Sequence, residues 1–141
     1  MDNFKRMAET QSDALLAMMP FAAVLGIENV SAAPEQVIGR VRWAEKRCTS
    51  FGVLHGGVLM SLADSIGAYC AVLTLPEGAG TSTIQSKTNF LRAVPSSHVD
   101  ARARPLHVGR TTIVIDTELY DDQDRLVGRV TQTQAVLTPR P

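Results

Sequence analysis

The run FGVLHGGVLMSLADSIGAYC, residues 51–70, and its continuation to Leu75 constrain this chain more than any other segment. From about Gly56 to Leu75 almost every side chain is apolar or small, and the breaker PEGAG at 76–80 ends the run. Such a segment reads as one long helix that must be covered along most of its surface. Residues 58–75 are nearly long enough to span a bilayer instead. Asp64 at mid-helix opposes that reading, costing about 2.5–3.5 kcal/mol on insertion scales. Ser61 and Ser65 add polarity and no basic cluster flanks the run, so the expectation is a helix buried in a soluble domain.

The rest of the chain supplies the cover. Residues 4–19 follow a helical period through Phe4, Met7, Ala8, Leu15 and Met18, and Pro20 is expected to stop them. VLGIENVS (24–31) and QVIGRVRW (36–43) read as strands around the turn-forming Ala-Pro-Glu at 33–35. In the second, Val37, Gly39, Val41 and Trp43 alternate with Ile38, Arg40 and Arg42. A loop over 44–55 leads into the apolar helix. Residues 81–93, 98–105, 111–120 and 125–137 are strand-like, with DDQD at 121–124 as a hairpin turn. Strands in consecutive hairpins favour an antiparallel sheet, which would wrap around the helix. The expected architecture is a single α+β domain over 1–141, with an N-terminal helix at 1–19 and a core at 20–138.

Several chemistries lack their parts. Fourteen basic residues balance fourteen acidic ones, so no global field draws nucleic acid or an anionic membrane. Cys48 and Cys70 have no CxxC spacing and read as free thiols of a reducing compartment. The start MDNFKRMAET lacks a signal-peptide pattern, and a cytoplasmic location is expected. His55, His98 and His107 are scattered outside any zinc-binding spacing, and no G-x-S-x-G elbow occurs. The acids of DDQD lack the glycine and terminal Glu of a calcium loop.

The head of the helix carries chemistry of its own. Gly56 and Gly57 at a helix start leave backbone N–H groups uncovered at the positive end of the dipole, where they can polarise a carbonyl oxygen. Gly57, Ser61, Asp64 and Ala68 share one face, a stripe of small residues open to close approach by a ligand or a second chain. Asp64 reads equally as a reactive carboxylate or as a core acid satisfied by Ser61 and Ser65. Gly57 and Asp64 lie about 10 Å apart along one helix axis. A donor and a nucleophile acting on one carbonyl must both come within about 3 Å of it. Two such helices packed antiparallel about a twofold axis meet that requirement, which predicts a dimer with two shared sites.

With these residues in view, FGVLHGG followed by LADS, with the acid nine positions after His55, resembles the hot-dog-fold acyl-coenzyme A thioesterases. The branch most similar is the phenylacetate-pathway (PaaI-like) and 4-hydroxybenzoyl-coenzyme A thioesterase group. The resemblance covers about residues 20–138, including NFLRA at 89–93 and RPLHVGR at 104–110. It implies a sheet wrapped around a central helix, dimers often paired into tetramers, and acyl-coenzyme A as substrate with no separate cofactor. By position it implies Asp64 as nucleophile or general base, the Gly57 N–H as donor to the thioester oxygen with His55 beside it, and Thr83 near the attacking water. Arg92, Arg104, His107 and Arg110 fall where relatives bind the nucleotide. Thr49 stands where relatives often carry Asn or Gln. Phe51, Leu54 and Met60 are the candidates for lining the acyl pocket across the dimer interface, Ser61 is a further substrate-binding candidate, and aryl, arylacetyl or medium-chain acyl groups are the expected cargo.

Two other functions fit the same fold. Hot-dog hydratases and dehydratases typically place a His five residues after the helix Asp, a position held here by Tyr69. A non-catalytic acyl-coenzyme A binding domain would bind without turnover, and the presence of Asp64 counts against it. The basic residues Arg92, Arg102, Arg104 and Arg110 read equally as a solvated strand face.

Overall fold

The computed structural model describes residues 16–139. Alternation decides its strands. In β2, Gln36–Arg42, the side chains of Val37 and Val41 and the backbone of Gly39 are buried while Ile38 and Arg40 are not. In β4, His98–Val108, Val99, Ala101 and Ala103 point inward, and His98, Asp100 and Arg102 outward. The remaining elements are α1 (Pro20–Leu25), β1 (Glu28–Ala33), α2 (Gly56–Val72), β3 (Gly80–Phe90), β5 (Thr112–Asp121) and β6 (Leu126–Leu137). Single 3-10 turns at Glu45–Arg47 and Ser50–Gly52 lie between β2 and α2.

The six strands form one antiparallel sheet in the order β1-β2-β4-β5-β6-β3, so β1 and β3 are its edges. α2 lies across the inner face and packs against β2, β3, β4, β5 and β6. Leu62, Ile66 and Tyr69 are fully buried there among Val37, Val41, Val99, Ile113, Ile115 and Leu119. The outer face is a ladder of ion pairs. Arg40 grips Asp100 with two bonds of 2.7 and 3.0 Å, Arg129 grips Asp116 with two of 3.0 Å, and Arg104 reaches Glu118 at 2.9 Å. The hot-dog architecture and the α+β class are as expected.

Several boundaries differ. The helix expected at 4–19 lies outside the described residues except for its end, where Leu16 and Ala17 are helical. Pro20 opens α1 rather than only closing what precedes it, because its missing N–H and fixed φ suit a first helical position. Gly26, at φ 68°, caps that helix, so the strand expected from Val24 begins at Glu28. α2 ends at Val72, and Thr74 Oγ1 donates back to the Ala71 carbonyl at 2.8 Å. β4 runs on past residue 105 to Val108 through a register shift between Pro105 and His107, a bulge that accommodates proline's missing donor.

Candidate active site

α2 begins where His55 leaves extended backbone. The Gly57 N–H donates to His55 Nδ1 at 2.7 Å, so the imidazole serves as the helix cap. The His55 N–H donates to the Arg47 carbonyl and the Leu54 N–H to the Val94 carbonyl, both at 2.9 Å, which pins the helix entry to two loops. Val58 and Leu59 return their N–H groups to the His55 carbonyl. Among the described residues this leaves the Gly56 N–H without an acceptor. The free donor at the helix head is therefore that of Gly56; the Gly57 N–H, the expected donor, is taken by the His55 ring.

The stripe of small residues faces outward. Leu59, Leu62, Ala63 and Ile66 turn into the core, Gly57, Ser61 and Ala68 are half-buried, and Met60 and Asp64 are exposed. Ser61 does not reach Asp64, because its hydroxyl donates to the Gly57 carbonyl at 2.7 Å. The Asp64 carboxylate is held instead by the sheet. Thr83 on β3 donates to Oδ1 at 3.0 Å, and Gln132 Nε2 on β6 donates to the same oxygen at 3.3 Å and to the Asp64 main-chain carbonyl at 3.5 Å. Behind Thr83, Gln134 Nε2 donates to its hydroxyl at 2.8 Å. Sequence reasoning found Thr83 and missed both glutamines. Their signal was the inward-facing set of β6, which changes from Gly128 and Val130 to Gln132 and Gln134 as the strand passes Asp64.

The loop before α2 carries two more expected residues. Thr49 is exposed, donates its N–H to the Val53 carbonyl at 2.9 Å, and has no hydrogen bond to Asp64 among the described residues. Phe51 at the tip is fully exposed with φ 67°, a conformation that costs an L-residue about 1–2 kcal/mol. Trp43 Nε1 holds this tip through the Gly52 carbonyl at 2.9 Å. Leu54, by contrast, is buried, and with Leu59, Phe90, Leu91, Arg92 and Val94 it lines a cavity of about 370 Å³ that opens beside Gly56.

The expected phosphate ligands separate. Arg92 borders that cavity at the head of α2. Arg104 is ion-paired with Glu118 on the outer face, turned away from Asp64. His107 and Arg110 are exposed at the β4–β5 hairpin, at the far end of the sheet. Phe90 pairs with Gly128 on β6 and Thr112 with Ala135, seven positions away, or about 23 Å along the strand at ~3.3 Å per residue. One protomer does not gather Arg92 and Arg110 around one ligand.

The sequence pattern of the Thioesterase superfamily matches residues 51–128, which include the helix head, Asp64 and Thr83. ComA2 of Bacillus subtilis is 32% identical over 114 residues, covering 80% of this chain and 90% of that protein. The proofreading thioesterase EntH of Cronobacter sakazakii is 33% identical over 75 residues, 53% of this chain and 55% of its own. Among solved structures, thioesterase HI1161 from Haemophilus influenzae superposes with a TM-score of 0.80 at 27% identity, over 96% of this chain and 89% of that one. A thioesterase family protein from Silicibacter pomeroyi gives 0.84 at 26% identity, over 91% and 96%.

Proposed function

The chain belongs to the thioesterase superfamily of hot-dog-fold thioester hydrolases, and from that premise we propose that it hydrolyses an acyl-coenzyme A to a free acid and coenzyme A. The observation that carries this reading is the exposed Asp64 carboxylate, held by Thr83 on the open face of α2. The unpaired Gly56 N–H polarises the thioester carbonyl, and Asp64 acts on the carbonyl carbon directly or through a water it deprotonates. Water adds to the acyl carbon, the C–S bond breaks, and the thiolate leaves with a proton. His55 fixes the donor by capping the turn that presents it. The acyl group, aryl, arylacetyl or medium-chain, enters the cavity beside Gly56 against the side chains of Leu54, Leu59, Phe90 and Leu91, and Arg92 at its border faces the nucleotide.

The working unit in this proposal is a homodimer with two shared sites. Gly56 and Asp64 are eight residues apart, about 12 Å along one axis, so a donor and a carboxylate on one helix cannot flank one carbonyl. β3 is an eleven-residue edge strand with Ile84 and Phe90 more than half exposed, as is Leu91 just beyond it, the kind of edge that proteins cover or pair. Antiparallel pairing of β3 with its copy lays two α2 helices antiparallel beside the seam. The same reversal brings the β4–β5 hairpin of the second copy, with its His107 and Arg110, to the end of the sheet where Arg92 lies. A reducing, cytoplasmic setting suits Cys48 and Cys70, which form no disulfide.

The test is thiol release from benzoyl-, phenylacetyl- and straight-chain acyl-coenzyme A, wild type beside Asp64→Asn. The expected result is turnover by the wild type that falls at least ~100-fold, about 2.7 kcal/mol, in the folded variant. Equal activity in both proteins would reduce Asp64 to a structural acid. Tight binding of acyl-coenzyme A by a wild type that never cuts it would make the chain a binding domain.

A further inference from the structure

Inward-facing positions of a strand under a buried helix ordinarily carry apolar side chains. On β6 two of them carry amides, Gln132 and Gln134, and both are completely buried. Burying an amide is costly unless each polar atom is paired, and the Gln132 Oε1 has no donor among the described residues. That oxygen presses on the backbone of α2 at Gly67, where a Cβ would lie 1.9 Å from it and 2.5 Å from the amide carbon. A mid-helix glycine and an incompletely satisfied amide are thus two halves of one contact. The only hydrogen bonds Gln132 makes through its side chain among the described residues run to Asp64.

Gln134 works one bond further back. Its Oε1 lies 3.0 Å from the Thr81 hydroxyl, and its Nε2 donates to Thr83 Oγ1. A hydroxyl that accepts from an amide still has one hydrogen to give, and Thr83 gives it to Asp64 Oδ1. Two donors from two strands converge on that one carboxylate oxygen. Oδ2 has no partner among the described residues.

We propose that Gln132 and Gln134 are positioning residues that clamp Asp64 Oδ1 through an amide and a threonine hydroxyl, so that Oδ2 is the oxygen that acts on the thioester or its attacking water. The proposal rests on the thioesterase reading of Asp64. It also revises Thr83, whose proton is committed to the carboxylate rather than to the attacking water. A side chain with two free torsions, exposed on a helix, is thereby held in one orientation before substrate arrives, which is worth up to about 100-fold where a misplacement near 1 Å is avoided. Gly67 is part of the device, because a side chain there would drive the Gln132 amide away from Asp64.

The test measures kcat and KM on whichever panel substrate the wild type cleaves fastest, with Tm alongside. Gln132→Met keeps the length of the side chain and removes its donor and its orphaned oxygen. It is expected to lower kcat about 10- to 100-fold with KM within about twofold, while Tm stays level or rises. Gly67→Ala is expected to lower kcat similarly in the wild-type background and to add nothing in the Gln132→Met background. Gln134→Met, which releases Thr83, gives an independent loss of kcat. Wild-type kcat in a folded Gln132→Met overturns the proposal, as does a kcat loss that only follows a falling Tm. If the wild type is silent on every substrate, the activity reading fails, and the clamp is judged by Tm shifts alone. Asp64→Ala and Gln132→Met then shift Tm non-additively if the contact exists, and additive shifts overturn it.

Discussion

The seat of α2 on the sheet depends on one reciprocal pair, Gly39 of β2 under Ile66 of the helix. A Cβ built on Gly39 would lie 2.2 Å from Ile66 Cδ1 and 2.5 Å from its Cγ1, distances no real contact tolerates. Both residues are buried, Ile66 completely. Gly39→Ala alone therefore forces Ile66 off its rotamer or lifts the helix, at about 1–3 kcal/mol. Ile66→Ala alone removes three buried carbons, about 2.4 kcal/mol of transfer at ~0.8 kcal/mol each, and the cavity left behind raises the loss to about 3–4 kcal/mol. In the double variant the new methyl enters the space Cδ1 and Cγ1 have left. The clash disappears and one carbon's worth of burial returns, so the pair should cost about 2–3 kcal/mol. That is about 3 kcal/mol less than the separate losses together, at the upper end of the coupling measured for touching residues. Urea unfolding of the four proteins reads it directly by linear extrapolation, at one protomer concentration so that any association contributes equally to all four. A coupling below about 0.5 kcal/mol would mean the helix does not sit on β2 in this register.

Other perturbations test the remaining parts. Ile84→Lys, which places like charges along the paired β3 edges, should turn a dimer into monomers by sedimentation or light scattering and abolish thiol release with the fold intact by circular dichroism. Arg92→Ala should raise KM for acyl-coenzyme A several-fold, whereas Arg104→Ala, which only frees Glu118 on the outer face, should leave KM unchanged; the reverse pattern would refute the placement of the nucleotide. Burial alone would raise the Asp121 carboxyl, but the N–H groups of Arg125 and Gln123 and the Arg125 guanidinium outweigh it and hold it below its ordinary value of 3.8. Its stabilisation is complete above that value and is lost as the pH falls through the lower native one, so Asp121→Asn should lower Tm at neutral pH and flatten the acid limb of the Tm–pH curve. Burial pushes the Cys70 thiol up to about 12 from 9.0, against a weaker opposing bond to the Val37 backbone. Iodoacetamide at pH 8 should therefore modify Cys70 only in urea, and stability should fall as the pH rises above 9.0, where the unfolded chain gives up a proton that the native one keeps.

What the sequence showed, and what it hid, divides by range. The apolar run to Leu75, the alternation in 36–43 and the turn at 121–124 are local, and they yield α2, β2 and the β5–β6 hairpin nearly to the residue. Asp64 stood out because a charge on such a helix has no local reason to be there. Of its partners, Thr83, 19 residues away, entered only through the family resemblance, and Gln132, 68 away, did not enter at all, because only the closing of β3 against β6 brings them together. TQTQ at 131–134 looks like ordinary solvent-facing strand until the register shows that its glutamines, not its threonines, face the helix. The choice between Gly56 and Gly57 turned on a 2.7 Å bond from the second of them to a ring two residues back, below the resolution of any spacing argument. Arg104 was legible as a basic strand residue, but whether it faced Asp64 or away depended on which face of β4 carried the alanines.

Five departures from ordinary folding rules lie in α2, in the loop that enters it and in the strand beneath it. Phe51 holds a left-handed backbone while fully exposed, Asp64 puts a carboxylate on an otherwise apolar helix, Gly67 weakens the middle of that helix, and Gln132 and Gln134 replace core side chains with amides. Each costs stability by itself, and the five lie on three elements separated in sequence: the loop before α2, α2 itself and β6. On the outer face the charges are matched, as in the Arg40–Asp100 and Arg129–Asp116 pairs. A fold that satisfies itself on one face and strains on the other is organised around what happens at the strained face. Four of the five departures converge on the orientation of a single carboxylate. The fifth, Phe51, stands fully exposed at the loop tip that Trp43 Nε1 holds through the Gly52 carbonyl.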